Sequence, residues 1–127
     1  MKYGCSKQVD LPFSEAVERT KAELAKEGFG VLTEIDVAAT LKKKLNIDYG
    51  KYLILGACNP PFAYQALQTE REVGLLLPCN VIVYEDSGKV TVSAILPTTA
   101  MSIVGNSALL DVAEQVEEKL QKVINYL

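Results

Sequence analysis

The segment Tyr52–Cys58 reads YLILGAC and is followed directly by Asn59-Pro60-Pro61. Its side chains are apolar at odd and even positions alike, whereas a strand with one solvated face alternates apolar and polar residues. This pattern predicts an internal β-strand that is covered on both faces. The residues after it predict a helix, because Asn is a favoured N-cap and proline is tolerated in the first helical turn.

The sequence before this segment predicts two strands and two helices. Weak alternation in residues 3–9 predicts a strand, and residues 29–35 form a second β-rich run. Between them, apolar residues spaced along one face predict a helix that ends at Gly28. Asp36 is a good N-cap for a short helix that follows the second strand.

The sequence after this segment predicts one longer helix, a β-hairpin and a C-terminal helix. The helix that starts at Asn59 is expected to run to about Glu72. Residues 79–84 and 90–96 predict two strands, joined by a polar turn that contains Gly88. Apolar residues then recur at helical spacing at Leu109, Ala113, Val116, Leu120, Val123 and Leu127. The order β-α-β-α-β-α-β-β-α predicts an α+β fold.

Length and charge restrict the class of protein. A chain of 127 residues fits a single domain spanning 1–127. The net charge of −3 makes nucleic acid an unexpected partner, because that binding depends on Lys and Arg that neutralise phosphates. No apolar run approaches the length that spans a bilayer, and none follows the N-terminal charge, so we expect neither a membrane segment nor a signal peptide.

The three cysteines and the lack of histidine restrict the chemistry further. Cys5, Cys58 and Cys79 are odd in number and widely spaced, which predicts reduced thiols and a cytoplasmic location. A chain without histidine has no Ser-His or Cys-His dyad and no His-ligated metal site. Any catalysis would depend on carboxylates, thiols, lysines or backbone amides, and we assign no catalytic residue.

The second face of the Tyr52–Cys58 strand also requires a cover. The helix stripes pack on the sheet, but a strand that is apolar on both sides buries its other face only under the short helices or under another subunit. A homodimer is therefore one of two solutions, and we include it among the expected partners.

Several longer phrases resemble one protein family. They are GFGVLTEIDV at 28–37, ATLK at 39–42, ILGACNP at 54–60 and GLLLPCNV at 74–81, with Val104-Gly105-Asn106 before the last helix. In this order they are similar to the bacterial and archaeal family named domain of unknown function 302. The resemblance implies a mostly antiparallel sheet in the β-α-β(4)-α topology of TATA-binding-protein-like folds, with short helical insertions. It implies no activity, and a shared topology is no indication of DNA binding.

Cys58-Asn59 and Cys79-Asn80 form a repeated phrase and the candidate ligand-binding site. If their strands are antiparallel neighbours, as the resemblance implies, both cysteines lie at the same end of the sheet. If the strands were parallel, about 20 Å would separate them. In the antiparallel arrangement, the two thiols could bind a soft divalent metal ion or cycle between dithiol and disulfide. The ordinary explanation, which we favour, is that both are small buried side chains.

Two further residues complete the candidate site. Asn80 lies one residue into a strand, where Asn is disfavoured, so we expect its amide to have a definite hydrogen-bond partner. Glu70 lies near the end of the third helix and could contribute a carboxylate if it converges with the thiols. Our leading hypothesis is a non-enzymatic, homodimeric binding or accessory domain with an unknown ligand. The alternative is a thiol-based metal-binding or redox protein that uses Cys58 and Cys79.

Overall fold

The structure, a computed structural model, describes residues 2–127. The strands are β1 (Gly4–Val9), β2 (Gly30–Asp36), β3 (Tyr52–Cys58), β4 (Cys79–Asp86) and β5 (Lys89–Ile95). The helices are α1 (Phe13–Lys26), α2 (Val37–Leu45), α3 (Pro60–Thr69), α4 (Pro97–Met101) and α5 (Ser107–Asn125). Two 3₁₀ helices, Arg71–Leu76 and Ser102–Val104, lie beside α3 and α4 in the sequence. The predicted order of elements is confirmed, with α4 and the 3₁₀ helices added.

The strands form one sheet in the order β1-β5-β4-β3-β2, and every neighbouring pair is antiparallel. The α+β class and the antiparallel sheet that the resemblance implied are therefore confirmed. β3 lies between β4 and β2, as its apolar sequence predicted. None of the helices in residues 2–127 is both long and apolar enough to cross a membrane.

One face of the sheet carries the main core, and we call it the core face. Leu55, Val81 and Val92 on this face are fully buried, under the apolar stripes of α1 and α5. A second, smaller hydrophobic cluster joins α3 and α4 to the first half of α5. The two clusters meet at the end of the sheet where β3 stops and β4 begins, and Phe62 packs against both.

The opposite face of the sheet, which we call the outer face, has no such cover. Ile54 and Ile82 are only half-buried, and Ile35 on the same face is 48% exposed. The short helix α2 contacts β2 and β3 but buries none of its own residues. The sequence predicted that either the short helices or another subunit would cover this face. The short helices do not cover it completely.

Helix α3 ends earlier than predicted. It stops at Thr69 and not near Glu72, because Glu70 takes an extended backbone conformation. The chain then continues as the 3₁₀ helix Arg71–Leu76, which places Val73 in the second cluster with 1% of its surface exposed. Burial of Val73 thus overrides the continuous helix that local sequence predicted.

Gly56 on β3 lies against Thr33 of β2 and against the ring of Pro78, which precedes β4. A Cβ atom at this position would overlap the hydroxyl of Thr33, its partner on β2, and would lie 2.8 Å from Cγ of Pro78. Glycine normally weakens a strand interior, and it is tolerated where another group approaches the backbone closely. Here the groups are the Thr33 hydroxyl and the Pro78 ring.

We expect Gly56→Ala to destabilise the protein by about 1–3 kcal/mol, the usual cost of overpacking. The matched control is Gly30→Ala on β2, where an added Cβ meets nothing within 4 Å. That variant should be neutral or stabilising by about 0.4–1 kcal/mol, because alanine restricts the unfolded chain. Urea unfolding of the three proteins measures both effects. Equal stabilities for the two variants would contradict this assignment of Gly56.

Candidate functional site

Cys58 and Cys79 lie at the same end of the sheet. β3 and β4 are antiparallel neighbours in which Ala57 pairs with Cys79, and Cys58 is the next residue and pairs with Gly30 of β2. The end of β3 and the start of β4 therefore meet, as expected for antiparallel strands. Both cysteines are free thiols.

Both thiols line a cavity of about 290 Å³ between this end of the sheet and helices α3 and α5. We call it the first cavity. It lies between the two hydrophobic clusters, with Phe29 and Val116 from one and Met101 and Val112 from the other. None of the side chains that line it within residues 2–127 is charged.

Alanine side chains explain why the space is open. Ala57 on β3, Ala63 and Ala66 on α3, and Ala113 on α5 all line the first cavity. Core positions usually carry larger side chains, and protein interiors are packed about as densely as organic crystals. Small side chains from three elements therefore leave a volume that the surrounding residues do not fill.

Leu32 and Leu67 form the entrance. Both line the first cavity while 67% and 44% of their surfaces, respectively, are exposed. Leu32 lies in an irregularity of β2, where the pairing with β3 shifts between Val31 and Thr33. Irregularities of this kind redirect side chains next to functional sites. An apolar pair thus stands between solvent and the interior.

Asn59 lines the first cavity but does not cap α3 with its side chain. It occupies the N-cap position without a side-chain capping hydrogen bond, and its Nδ2 instead donates to the backbone carbonyl oxygen of Glu27 at 3.0 Å. Carbonyl groups at helix C-termini lack intrahelical donors, so the end of α1 supplies an acceptor for the Asn59 NH₂ group. Asn59 therefore occupies the predicted N-cap position without the side-chain capping bond, whereas Asp36 makes one, since its Oδ1 accepts from the Ala39 amide.

Asn80 and Glu70 do not line the first cavity. Asn80 follows Cys79 on β4, so it lies on the outer face, and it borders a second cavity on the other side of the Leu77–Cys79 segment. Its side chain is exposed, so solvent can satisfy the amide, and the expected protein partner is not required. Glu70 directly follows α3, is half-buried and lines neither cavity.

The thiols are not joined by further metal-ligating groups. Cys5 lies on β1 opposite Ala94, and strands β5 and β4 separate β1 from β3, which carries Cys58. Over residues 2–127, no group of three or more Cys, Asp or Glu side chains is arranged to hold a metal ion. The described site therefore offers two sulfur ligands, whereas a structural zinc site uses four ligands.

Burial changes the acidity of the Cys79 thiol. Removal from water raises its pKa from 9.0 to about 11, and the neighbouring Cys58 adds to the rise. A buried thiolate is disfavoured because its charge loses hydration. At neutral pH the Cys79 side chain is therefore an uncharged, apolar group, consistent with the other residues around it.

Three cavity-lining residues, Phe29, Phe62 and Met101, were not identifiable as site residues from the sequence. Each lies in a different part of the chain and has the pattern of an ordinary core residue. The one signal in the sequence was alanine at the inward positions of α3 and α5. Those positions approach Cys58 and Cys79 only when the chain is folded.

Comparison with known families and solved structures gives two similarities. The family model described as Domain of unknown function DUF302 matches residues 5–127. A crystal structure of an uncharacterized conserved protein DUF302 from Bacillus stearothermophilus is similar at 29% sequence identity, with a TM-score of 0.93. The match covers 98% of each chain. No protein with a curated function matches this chain.

We expect iodoacetamide to alkylate the Cys79 thiol about 100-fold more slowly in the folded protein than in the unfolded chain at pH 8. The reason is that a pKa rise of about two units lowers the thiolate fraction by that factor. The rate should increase as the pH rises and level off only above about 11. Peptide mass spectrometry assigns the rate to Cys79. The urea-unfolded chain is the control, and a folded-state midpoint at or below 9.0 would contradict the burial effect.

Proposed function

This chain belongs to the family described as Domain of unknown function DUF302, and from the geometry of its site we propose that it is a non-enzymatic protein that binds a small apolar ligand in the first cavity. The single observation that carries the proposal is the cavity itself, which is open at Leu32 and Leu67 and apolar inside. Cavities with these properties are the usual sites of small-molecule binding.

The volume indicates the size of the ligand. An apolar cavity of about 150 Å³ accommodates benzene. The first cavity, at about 290 Å³, is roughly twice as large and would hold about eleven carbon atoms. A fused pair of aromatic rings or a medium-length aliphatic chain has this size.

The lining indicates the charge of the ligand. Placing an ionised group in an apolar site without a partner carries a large desolvation cost. The polar side-chain groups of the first cavity are the two thiols and the amide of Asn59, and the NH₂ group of that amide already binds Glu27. The buried part of the ligand is therefore uncharged, and Cys58 and Cys79 contribute contact surface.

The same lining supports a binding function without catalysis. General acid–base chemistry requires a group whose pKa lies near the operating pH. The chain contains no histidine, and the pKa of Cys79 is displaced upward to about 11. A neutral thiol in an apolar wall binds hydrocarbon and does not transfer a proton at neutral pH.

Titration with 1-aminonaphthalene, an uncharged fluorescent probe with ten carbons, tests this function. We expect saturable binding with one site per chain and a blue-shifted emission, because the probe enters an apolar cavity. Ala63→Phe on α3 should weaken the binding by about tenfold or more, since the added ring fills the cavity.

The matched control is Ala22→Phe, the same substitution at an exposed position of α1. It should bind the probe as the wild type does. Circular dichroism checks that both variants are folded. A wild-type protein without saturable binding would refute the proposed function.

We also propose that the outer face joins two copies of this chain. Ile35, Ile54 and Ile82 lie side by side in register, and the rings of Tyr52 and Tyr84 stack with centroids 5.5 Å apart. A two-fold dimer requires a self-complementary patch. These five side chains are uncharged at neutral pH, so two chains with net charge −3 could meet here without opposing like charges.

Ile82→Lys should convert the dimer to a monomer, because an ammonium group would be buried at the interface without a partner. Light scattering coupled to gel filtration should give twice the 13.9 kDa chain mass for the wild type and the single mass for the variant. Ile103→Lys, at a site 80% exposed outside this face, is the control and should stay dimeric. A monomeric wild type would exclude the dimer.

The thiol-based alternative has one favourable observation, the presence of both Cys58 and Cys79 at a single cavity. A reversible disulfide or a soft divalent metal ion between them would protect both residues in the alkylation experiment until reductant or chelator is added. If elemental analysis finds no metal, and the slow alkylation of Cys79 follows its raised pKa alone, the result favours the apolar-ligand function over the thiol-based one. The three free thiols also support a proposed reducing, cytoplasmic location.

A further inference from the structure

A second cavity of about 230 Å³ lies directly beside the first. Four residues line both: Leu77, Pro78, Cys79 and Met101. The two spaces are therefore separated by one layer of side chains. Residues that line only the second cavity include Leu75, Asn80, Ile95 and Ala100.

We propose that the two cavities bind the two halves of one elongated, uncharged amphiphile, of which a long-chain primary alcohol is the simplest example. This inference rests on the proposed function and specifies its ligand. The second cavity would take about nine carbon atoms by the comparison with benzene, so both together would take a chain of about twenty.

The dividing layer contains side chains that can move. Met101 is unbranched and flexible, and methionine adapts its shape to irregular apolar spaces more readily than other core residues. Cys79 in the same layer is small and uncharged at neutral pH, with a pKa of about 11. Rotation of Met101 and Leu77 would join the cavities without movement of the sheet.

The exposure of the lining residues indicates an opening at each end. Leu32 and Leu67 stand at the entrance of the first cavity. At the far end, Leu75 is 83% exposed and Asn80 is exposed beside it. A passage that is apolar in the first cavity and mixed in polarity in the second, with an opening at each end, fits an extended amphiphile better than a compact ring system.

The polar groups indicate where the head group lies. Within residues 2–127 no charged side chain lines the second cavity, so none would pair with a charged head group, and an uncharged hydroxyl fits this end of the passage. The amide of Asn80 offers a donor and an acceptor, whereas the NH₂ group of Asn59 binds Glu27. The hydroxyl end of the ligand therefore lies at Asn80, and the chain extends past Met101 towards Leu67.

Displacement of 1-aminonaphthalene by a series of alcohols from decanol to octadecanol tests this assignment, with the longer alcohols supplied from a cyclodextrin carrier. Shorter alcohols would fit in the second cavity without reaching the probe. Each added methylene should increase the affinity by about fourfold while it enters an apolar site. If one ligand occupies both cavities, the increase continues through hexadecanol. If only the first cavity is used, it stops near undecanol.

Ala100→Phe places a ring in the second cavity alone. We expect it to leave the affinity of the probe unchanged and to lower that of hexadecanol by about tenfold or more, because the hydroxyl end and the adjoining half of the chain lose their site. Ala108→Phe, at an exposed position of α5, is the control. Ile95→Phe provides a second obstruction if Ala100→Phe does not fold, and Asn80→Leu should weaken the alcohols without affecting the probe.

The possible failures are distinguishable. The wild-type protein could bind 1-aminonaphthalene while the affinity for alcohols does not increase beyond undecanol and Ala100→Phe has no effect. That result would overturn the joined passage and leave the first cavity as a binding site. A protein that does not bind the probe would refute the proposed function itself. Binding of palmitate as tightly as hexadecanol would contradict the uncharged head group.

Discussion

The antiparallel pairing of β3 with β4 is the constraint on which the rest of the structure depends. It sets Leu55 opposite Val81 and Ala57 opposite Cys79, and all four side chains point to the core face. Because side chains alternate with a period of two, a shift of one residue would move β4's buried set to the outer face. The same register brings the end of β3 to the start of β4, and so creates the corner at which the cavities lie.

The candidate site is a consequence of how two hydrophobic clusters meet. One cluster lies between the sheet and helices α1 and α5, and the other joins α3, α4 and α5. Where they adjoin, four alanines face a common space that larger side chains would fill. An unfilled apolar volume of this size lowers stability, since its lining atoms lack contact partners. This cost is the physical basis of the proposal that a ligand occupies the space.

The helices and strands were predictable from sequence because their periodic patterns are strong. Those patterns do not determine which strands pair, and the antiparallel pairing was implied by the resemblance to the family. Tertiary contacts modified two local predictions. Burial of Val73 ends α3 early, and Asn59 occupies its predicted N-cap position but donates through its side chain to the Glu27 carbonyl without making a capping bond. The juxtaposition of Cys58 and Cys79 was predictable once the pairing was assumed. The cavity was not predictable, because helix propensity alone explains alanine in a helix equally well. The space appears only where elements that are distant in the sequence approach one another.

Gly56 connects the stability of the sheet to the shape of the site. It lies on the outer face of β3, and its missing side chain allows the Pro78 ring to approach the backbone. Pro78 precedes Cys79, the first residue of β4, and belongs to the layer that separates the two cavities. A side chain at position 56 would displace the ring and with it both the start of β4 and the dividing layer. The glycine in the middle of an otherwise apolar strand is thus explained by the close approach of the Thr33 hydroxyl and the Pro78 ring, and the ring adjoins both cavities.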